Sequence, residues 1–500
     1  MKKLAIISTF ILGLAATSCD SYLDINESPN SPKESDLNAS ILFPAAEMNL
    51  ASSYGDYLRI TGGYYAQYYV QSFGTSNYLD YSQFEQSATR SSSTYTQLNA
   101  RALKNLQLVR DIASQKENWG DYLAATVLRA FTYQALVDCY GEVPYTEALD
   151  ATNPTPHYDD GKTIYTGILS ELDEALSLAK ASDPVCTSLL FPGQTADPWI
   201  KFANALKLKI YSRMGGSDAQ IGAIIEEGNL PTGDVAFTDG WTSESGHISP
   251  FYAEEFATNW GSTQVNVVAN IAIIGSMQVK DDEGAVVYED PRLPKFFNKN
   301  GSGKYTGGIS GTNFSTSSSY KSAYWCRPVA SFDMPVYLLT VAEIEFFMAE
   351  YYARTGKADM AEAYYEYAVE ASFESAGVAG AEGFIAQWPY DQSNYKKSIG
   401  IAKWIALAGV NPFEGYCELR RLKYPAFGAV KGSDMYNETD DSSYKPDLYK
   451  AGTLYTPIKV FGPVGDNQLL QRWPYAESSS ARNSNTPVFP GYTTPIFWAQ

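Results

Sequence analysis

Two stretches of this chain carry side chains suited to holding a sugar. In the first, Tyr64, Tyr65, Tyr68, Tyr69, Phe73, Tyr78 and Tyr81 interleave with Gln67, Gln71 and Asn77. In the second, Trp241, Trp260, Tyr320 and Trp325 accompany Asn259, Gln264 and Arg327. Flat rings cover the C–H faces of a pyranose, and amides and cations fix its hydroxyls, so the combination is what a saccharide-contact surface requires. Tyr68, Tyr69, Tyr78, Trp241, Trp260 and Trp325 are the candidate aromatic platform. Tyr64, Tyr65, Tyr68 and Tyr69 also fall at helical spacing, which a buried helix face would produce equally well.

Other chemistry is sparse. The chain has two histidines, His157 and His247, and neither sits in a nucleophile or metal-ligand motif, so imidazole catalysis is not expected. Carboxylates abound, and a glycoside hydrolase needs only two. The group Glu438, Asp440 and Asp441 has a calcium-loop composition without the spacing or central glycine of an EF-hand. No catalytic residue, cofactor or metal site is assigned. Cys139, Cys186, Cys326 and Cys417 are scattered and lack CxxC spacing; they read as free thiols and not as a zinc site or disulfide framework.

Cys19 is different. It ends a segment of Lys2, Lys3, an apolar run from Leu4 to Ala16, and the small residues Thr17 and Ser18, the layout of a lipoprotein signal. The run is shorter than the roughly 20 residues that a spanning helix needs. Residues 1–18 are expected to leave, and Cys19 to carry a lipid that holds the mature chain on a membrane. Residues 19–40 are polar and turn-rich, with Pro29 and Pro32, and read as a tether.

The remaining residues, 41–500, must position the candidate rings. Tyr is over-used, at 38 against 23 Phe and 9 Trp, and the net charge is −19. No basic cluster interrupts that charge, so nucleic acid is not an expected partner. Periodic apolar positions predict helical pairs near 94–140, 161–216, 337–376 and 393–424. Leu98, Ala102, Leu106, Val109 and Ala113 mark one such face, and Trp199, Phe202, Leu206, Ile210 and Met214 another. Each two-helix unit buries its apolar face only against its neighbours, which predicts a mainly α, tetratricopeptide-like array of about four pairs. Segments 54–95, 216–335 and 426–500 are loop-rich inserts. Within the second, only Val265 to Met277 has a helical period. Inserts this long in a folded chain are usually functional.

Several blocks resemble the SusD/RagB family of outer-membrane nutrient-binding lipoproteins. They are CDSYLDINESPNSP after the signal, LRAFTYQALVDCYGEVPYTEAL (128–149), WIKFANALKLKIYSRM (199–214), YEDPRLPKFF (288–297), LTVAEIEFFMAEYYAR (339–354), KWIALAGVNPFEGYCELRRLKYPAF (403–427) and RWPYAESSSARNSNTP (472–487). Departures are Ala402, where Gln is common, and Leu422-Lys423, where Thr-Gly is common. The resemblance implies helical pairs and a cell-surface outer-membrane protein that binds oligosaccharide or peptide without catalysis. It also implies a partner, a SusC-like TonB-dependent transporter. Arg420 and Arg421 are expected to be ion-paired scaffold. A lipid-anchored scaffold for other proteins and a glycoside hydrolase are the alternatives.

Overall fold

The protein is described by a computed structural model that places residues 38–72, 75–193, 195–257, 265–312, 325–437 and 443–500. The signal segment and Cys19 lie outside the described residues, as do Glu438, Asp440 and Asp441.

Asn38 opens the first helix, α1 (Ala39–Ser53), by accepting a hydrogen bond from the Ile41 N–H through its side chain. Ala39 and Ser40, expected to belong to the tether, are therefore helical. Leu42, Phe43, Ala46 and Leu50 bury one face of α1. Glu47 is buried among them and accepts from Ser188 Oγ at 2.8 Å and the Leu189 N–H at 2.7 Å. Burial still pushes its carboxyl up to about 7. Helix α2 (Arg59–Tyr65) follows after one π-helical turn, Tyr54–Leu58.

All four predicted helical pairs are present. They are α3 (Lys104–Gln115) with α4 (Trp119–Tyr140), α5 (Gly161–Leu178) with α6 (Asp197–Met214), α7 (Val341–Arg354) with α8 (Ala358–Ser375), and α9 (Tyr395–Leu407) with α10 (Pro412–Leu422). Local chemistry sets their limits. Thr340 and Glu343 form a reciprocal capping box on α7, Asn411 caps α10 with Pro412 in its first turn, and Gly141 ends α4 at φ 80°. Nearly every residue of α4 is buried, because α3 packs on one side and α5 and α6 on others.

Charged side chains join the pairs at their centre. Arg213 on α6 binds Asp138 of α4 and Glu414 and Glu418 of α10. Lys209 binds Glu414 at 2.7 Å, Lys403 binds Glu418 at 2.9 Å, and Arg421 binds Glu350 of α7 at 2.6 Å. Every helical pair contributes, and the buried Glu343 also lies 4.0 Å from Lys209. Although burial opposes ionisation, Arg421 and Lys403 hold Glu418 well below the usual carboxylate range. Arg421 is ion-paired as expected. Arg420 instead donates to the backbone carbonyls of Gln471 and Asp138 and lies 4.0 Å from the centre of the Tyr416 ring.

Helix α2 crosses α10 with no space for a side chain. A Cβ at Gly62 would stand 2.4 Å from Phe413 Cα and 2.8 Å from the Pro412 carbonyl oxygen, both backbone atoms. Gly62→Ala must separate the two helices, and is expected to cost about 1–3 kcal/mol, read as a lowered urea midpoint at unchanged slope.

The inserts are less irregular than their composition suggests. Strand β1 (Tyr69–Gln71) pairs antiparallel with β3 (Val267–Ala269), and β2 (Val235–Phe237) with β4 (Val336–Leu339). The predicted helical period after Val265 is β3 followed by a short helix, Ile271–Met277. Another helix, Asp218–Glu227, occupies a stretch expected to be loop. Among the described residues no helix is long and apolar enough to cross a membrane.

Candidate functional site

The β1–β3 ladder brings the first and second inserts together, as a shared ligand face requires. Most of the candidate rings, however, are core rings of that junction. Tyr68 and Tyr69 are 0% and 1% exposed, Tyr78 7%, Trp325 3% and Trp241 8%; Trp260 lies outside the described residues. The Tyr68 hydroxyl donates to the Trp404 carbonyl at 2.6 Å and its ring packs on that indole. Tyr69 stacks on Phe251, and Tyr78 donates to Glu255 Oε1 at 2.6 Å. The exposed platform expected of Tyr68, Tyr69, Tyr78 and Trp325 is thus corrected. Their aromatic faces are spent on protein, since α2 and β1 run between α10 and the second insert.

Trp241 differs because it lines an opening. The cavity is about 490 Å³, within the range of small-molecule sites. Three separate π-helical turns contribute to its walls, beside α1 and the loop around Trp241. Tyr54–Leu58 supplies Asp56, Gln97–Leu103 supplies Gln97, and Ala253–Ala257 supplies Glu254. A π turn inserts one extra residue into the helical ladder and is frequent at functional sites. Here all three face one space. Gln97 is held by Ser53 Oγ at 3.1 Å, and the Trp241 indole N–H donates to the Phe237 carbonyl at 3.0 Å. Sequence reasoning missed Asp56, Gln97 and Glu254, because nothing in their local spacing announces a π turn.

The site is acidic. Burial, then the charges of Glu254 and Glu255, push Asp56 up to about 8. Burial likewise raises Glu255 to about 7, against the hydrogen bond from Tyr78. At neutral pH Asp56 is therefore largely a hydroxyl donor, beside Glu254. A donor, an acceptor, an amide and an indole around one cavity can satisfy the hydroxyls and ring face of a sugar. Of the two histidines, His157 contacts Glu147 at the surface, and His247 is exposed between the lining residues Gly246 and Ile248 without lining the cavity itself. Among the described residues, no three His, Cys, Asp or Glu side chains converge to hold a metal, and Cys139, Cys186, Cys326 and Cys417 are free thiols.

A pH dependence follows from these carboxyls. With folded values raised above the unfolded ones, the folded chain binds more protons between about pH 4 and pH 8, so stability falls as pH rises through that window. Asp56→Asn should remove part of the slope, seen as urea midpoints that converge with wild type at low pH and exceed it at pH 8.

Among curated proteins no sequence relative matches the chain. Solved structures do. A chitin-binding protein superposes with a TM-score of 0.70 at 19% identity, covering 92% of this chain and 100% of that one. A SusD homologue from Bacteroides uniformis gives 0.66 at 20% identity, covering 92% and 99%, and a chitin-binding SusD homologue from Flavobacterium johnsoniae gives 0.68 at 16% identity, covering 91% and 98%. At such identities the likeness establishes the fold. The sequence itself matches, over residues 29–445, the profile of SusD-like proteins described as starch-binding and associating with the outer membrane. That match spans most of the length, and the chain belongs to the SusD-like family.

Proposed function

We propose that the protein binds an oligosaccharide in the cavity beside Trp241, without turning it over, and delivers it to a SusC-like TonB-dependent transporter. The observation that carries this reading is the convergence of three π-helical turns on one opening lined by Trp241, Asp56, Gln97 and Glu254. Two of the similar structures are chitin-binding proteins, which favours a neutral β-linked sugar as the first ligand to try. Lipid attachment at Cys19 would keep the body at the cell surface.

A glycan and peptide array carrying starch and chitin fragments, probed with the soluble chain from Asp20, tests this. Glu254→Gln and Asp56→Asn should each weaken the preferred glycan about tenfold, the equivalent of one charge-assisted or buried hydrogen bond. Recovery of shortened oligosaccharide after incubation would replace binding by hydrolysis, and a response to peptides alone would replace the ligand class. Mass spectrometry of the mature protein from membranes should find Cys19 acylated.

A further inference from the structure

The end of α10 opens onto a second cavity of about 360 Å³, which shares no lining residue with the one beside Trp241. Its lining holds two cations, Arg420 and Lys423, three amides, Asn467, Gln468 and Gln471, and the ring of Phe427, but no carboxylate. In a chain of net charge −19 that is the reverse of the general composition. A recess walled by one sign of charge concentrates the opposite sign. The acids that adjoin the lining in sequence or through Arg420 are engaged elsewhere, and Glu418 is held by Lys403 and Arg421. Asp466 holds Lys431 at 2.9 Å, and Asp138 accepts from Arg213, Tyr165 and Trp498.

The two cations differ in role. Arg420 is buried and tied to backbone carbonyls, so it supplies a fixed positive field. Its Nε and the Oε1 of Gln471 are buried without a hydrogen-bond partner among the described residues. Lys423 is exposed, and among the described residues its ammonium has neither ion pair nor hydrogen bond. Its backbone is unusual: at φ 62° it occupies the left-handed position that ends α10, where glycine is favoured. A side chain there costs conformational energy that glycine would not. Strain kept in the wall of a cavity points to a use for the side chain.

We propose that this cavity is a second ligand site, for a carboxylate-bearing sugar of the hexuronate class. Lys423 Nζ takes the carboxylate and Phe427 covers the apolar ring face. Gln468 and the amide N–H groups of Asn467, whose Oδ1 is held by Thr456 at 2.7 Å, bond the hydroxyls. The site does not depend on the use of the first cavity.

Calorimetric titration of the mature protein with glucuronate, glucose and acetate tests the assignment. Glucuronate should bind at least about tenfold more tightly than either control, the margin of one charge-assisted hydrogen bond. Lys423→Gly should lose that margin while its melting temperature stays level or rises, since glycine relieves the left-handed backbone; Lys423→Arg should retain binding. Absence of glucuronate binding to the wild type overturns the proposal, as does equal binding of glucose or of acetate. A glucuronate signal lost in Asp56→Asn but intact in Lys423→Gly places the ligand in the first cavity and overturns it too.

Discussion

Replacing Arg213 by methionine should lower the free energy of unfolding by about 3–5 kcal/mol, the cost of breaking a buried ion pair from one side. Arg213 is 2% exposed and donates to Asp138, Glu414 and Glu418 at once. Without it, Asp138 loses its cation and Glu414 and Glu418 lean on Lys209 and Lys403 alone. The contrast is Lys201, whose pair with Asp197 is on the surface; Lys201→Met should change stability by less than about 1 kcal/mol. Because Glu350, Glu414 and Glu418 are held below their ordinary range, their contribution is complete at neutral pH and is lost as the solution becomes acidic enough to protonate them. Urea unfolding of both variants at neutral pH checks the comparison. Equal, small losses would mean that apolar packing, and not this network, holds the helical pairs in register.

Tyr68→Ala is expected to cost about 3–5 kcal/mol of stability, as for other emptied aromatic core positions. The ring is wholly buried against Trp404, and its hydroxyl satisfies the Trp404 carbonyl. Tyr68→Phe keeps the volume and removes the donor, so it should cost about 1–3 kcal/mol, the price of an unpaired buried carbonyl. Glycan affinity of whatever protein remains folded should be unchanged. A Tyr68→Ala variant that melts normally but has lost its ligand would return this ring to the binding surface.

The helical pairs were legible because their faces repeat at helical spacing and their ends carry ordinary signals, such as Gly141 after α4 and Pro412 in the first turn of α10. Helix α1 was not, since it has buried residues over much of its circumference and Pro44 within it, leaving neither a clean stripe nor a clean start. For the candidate site, residue type was a poor guide to exposure. Tyr68 and Tyr69 have the chemistry of a sugar platform, yet the close approach of α2 to α10 at Gly62 puts them inside. Asp56 and Glu254 look like two solvated acids among 56 Asp and Glu. What distinguishes them is tertiary: two π turns about 200 residues apart in sequence face the same space.

The β1–β3 ladder joins residues 69–71 to residues 267–269. A contact that distant in sequence must close a very long loop, and such contacts form slowly relative to the local pairing of α3 with α4. The helical hairpins can therefore assemble while the two inserts are still apart. A chain interrupted before Val267 would hold α1 to α6, β1 and the acidic turn at Glu254, but not β3, the partner that ties the first insert to the second. The junction between the first and second inserts is in this sense a late property of folding, completed only once segments about 200 residues apart have met.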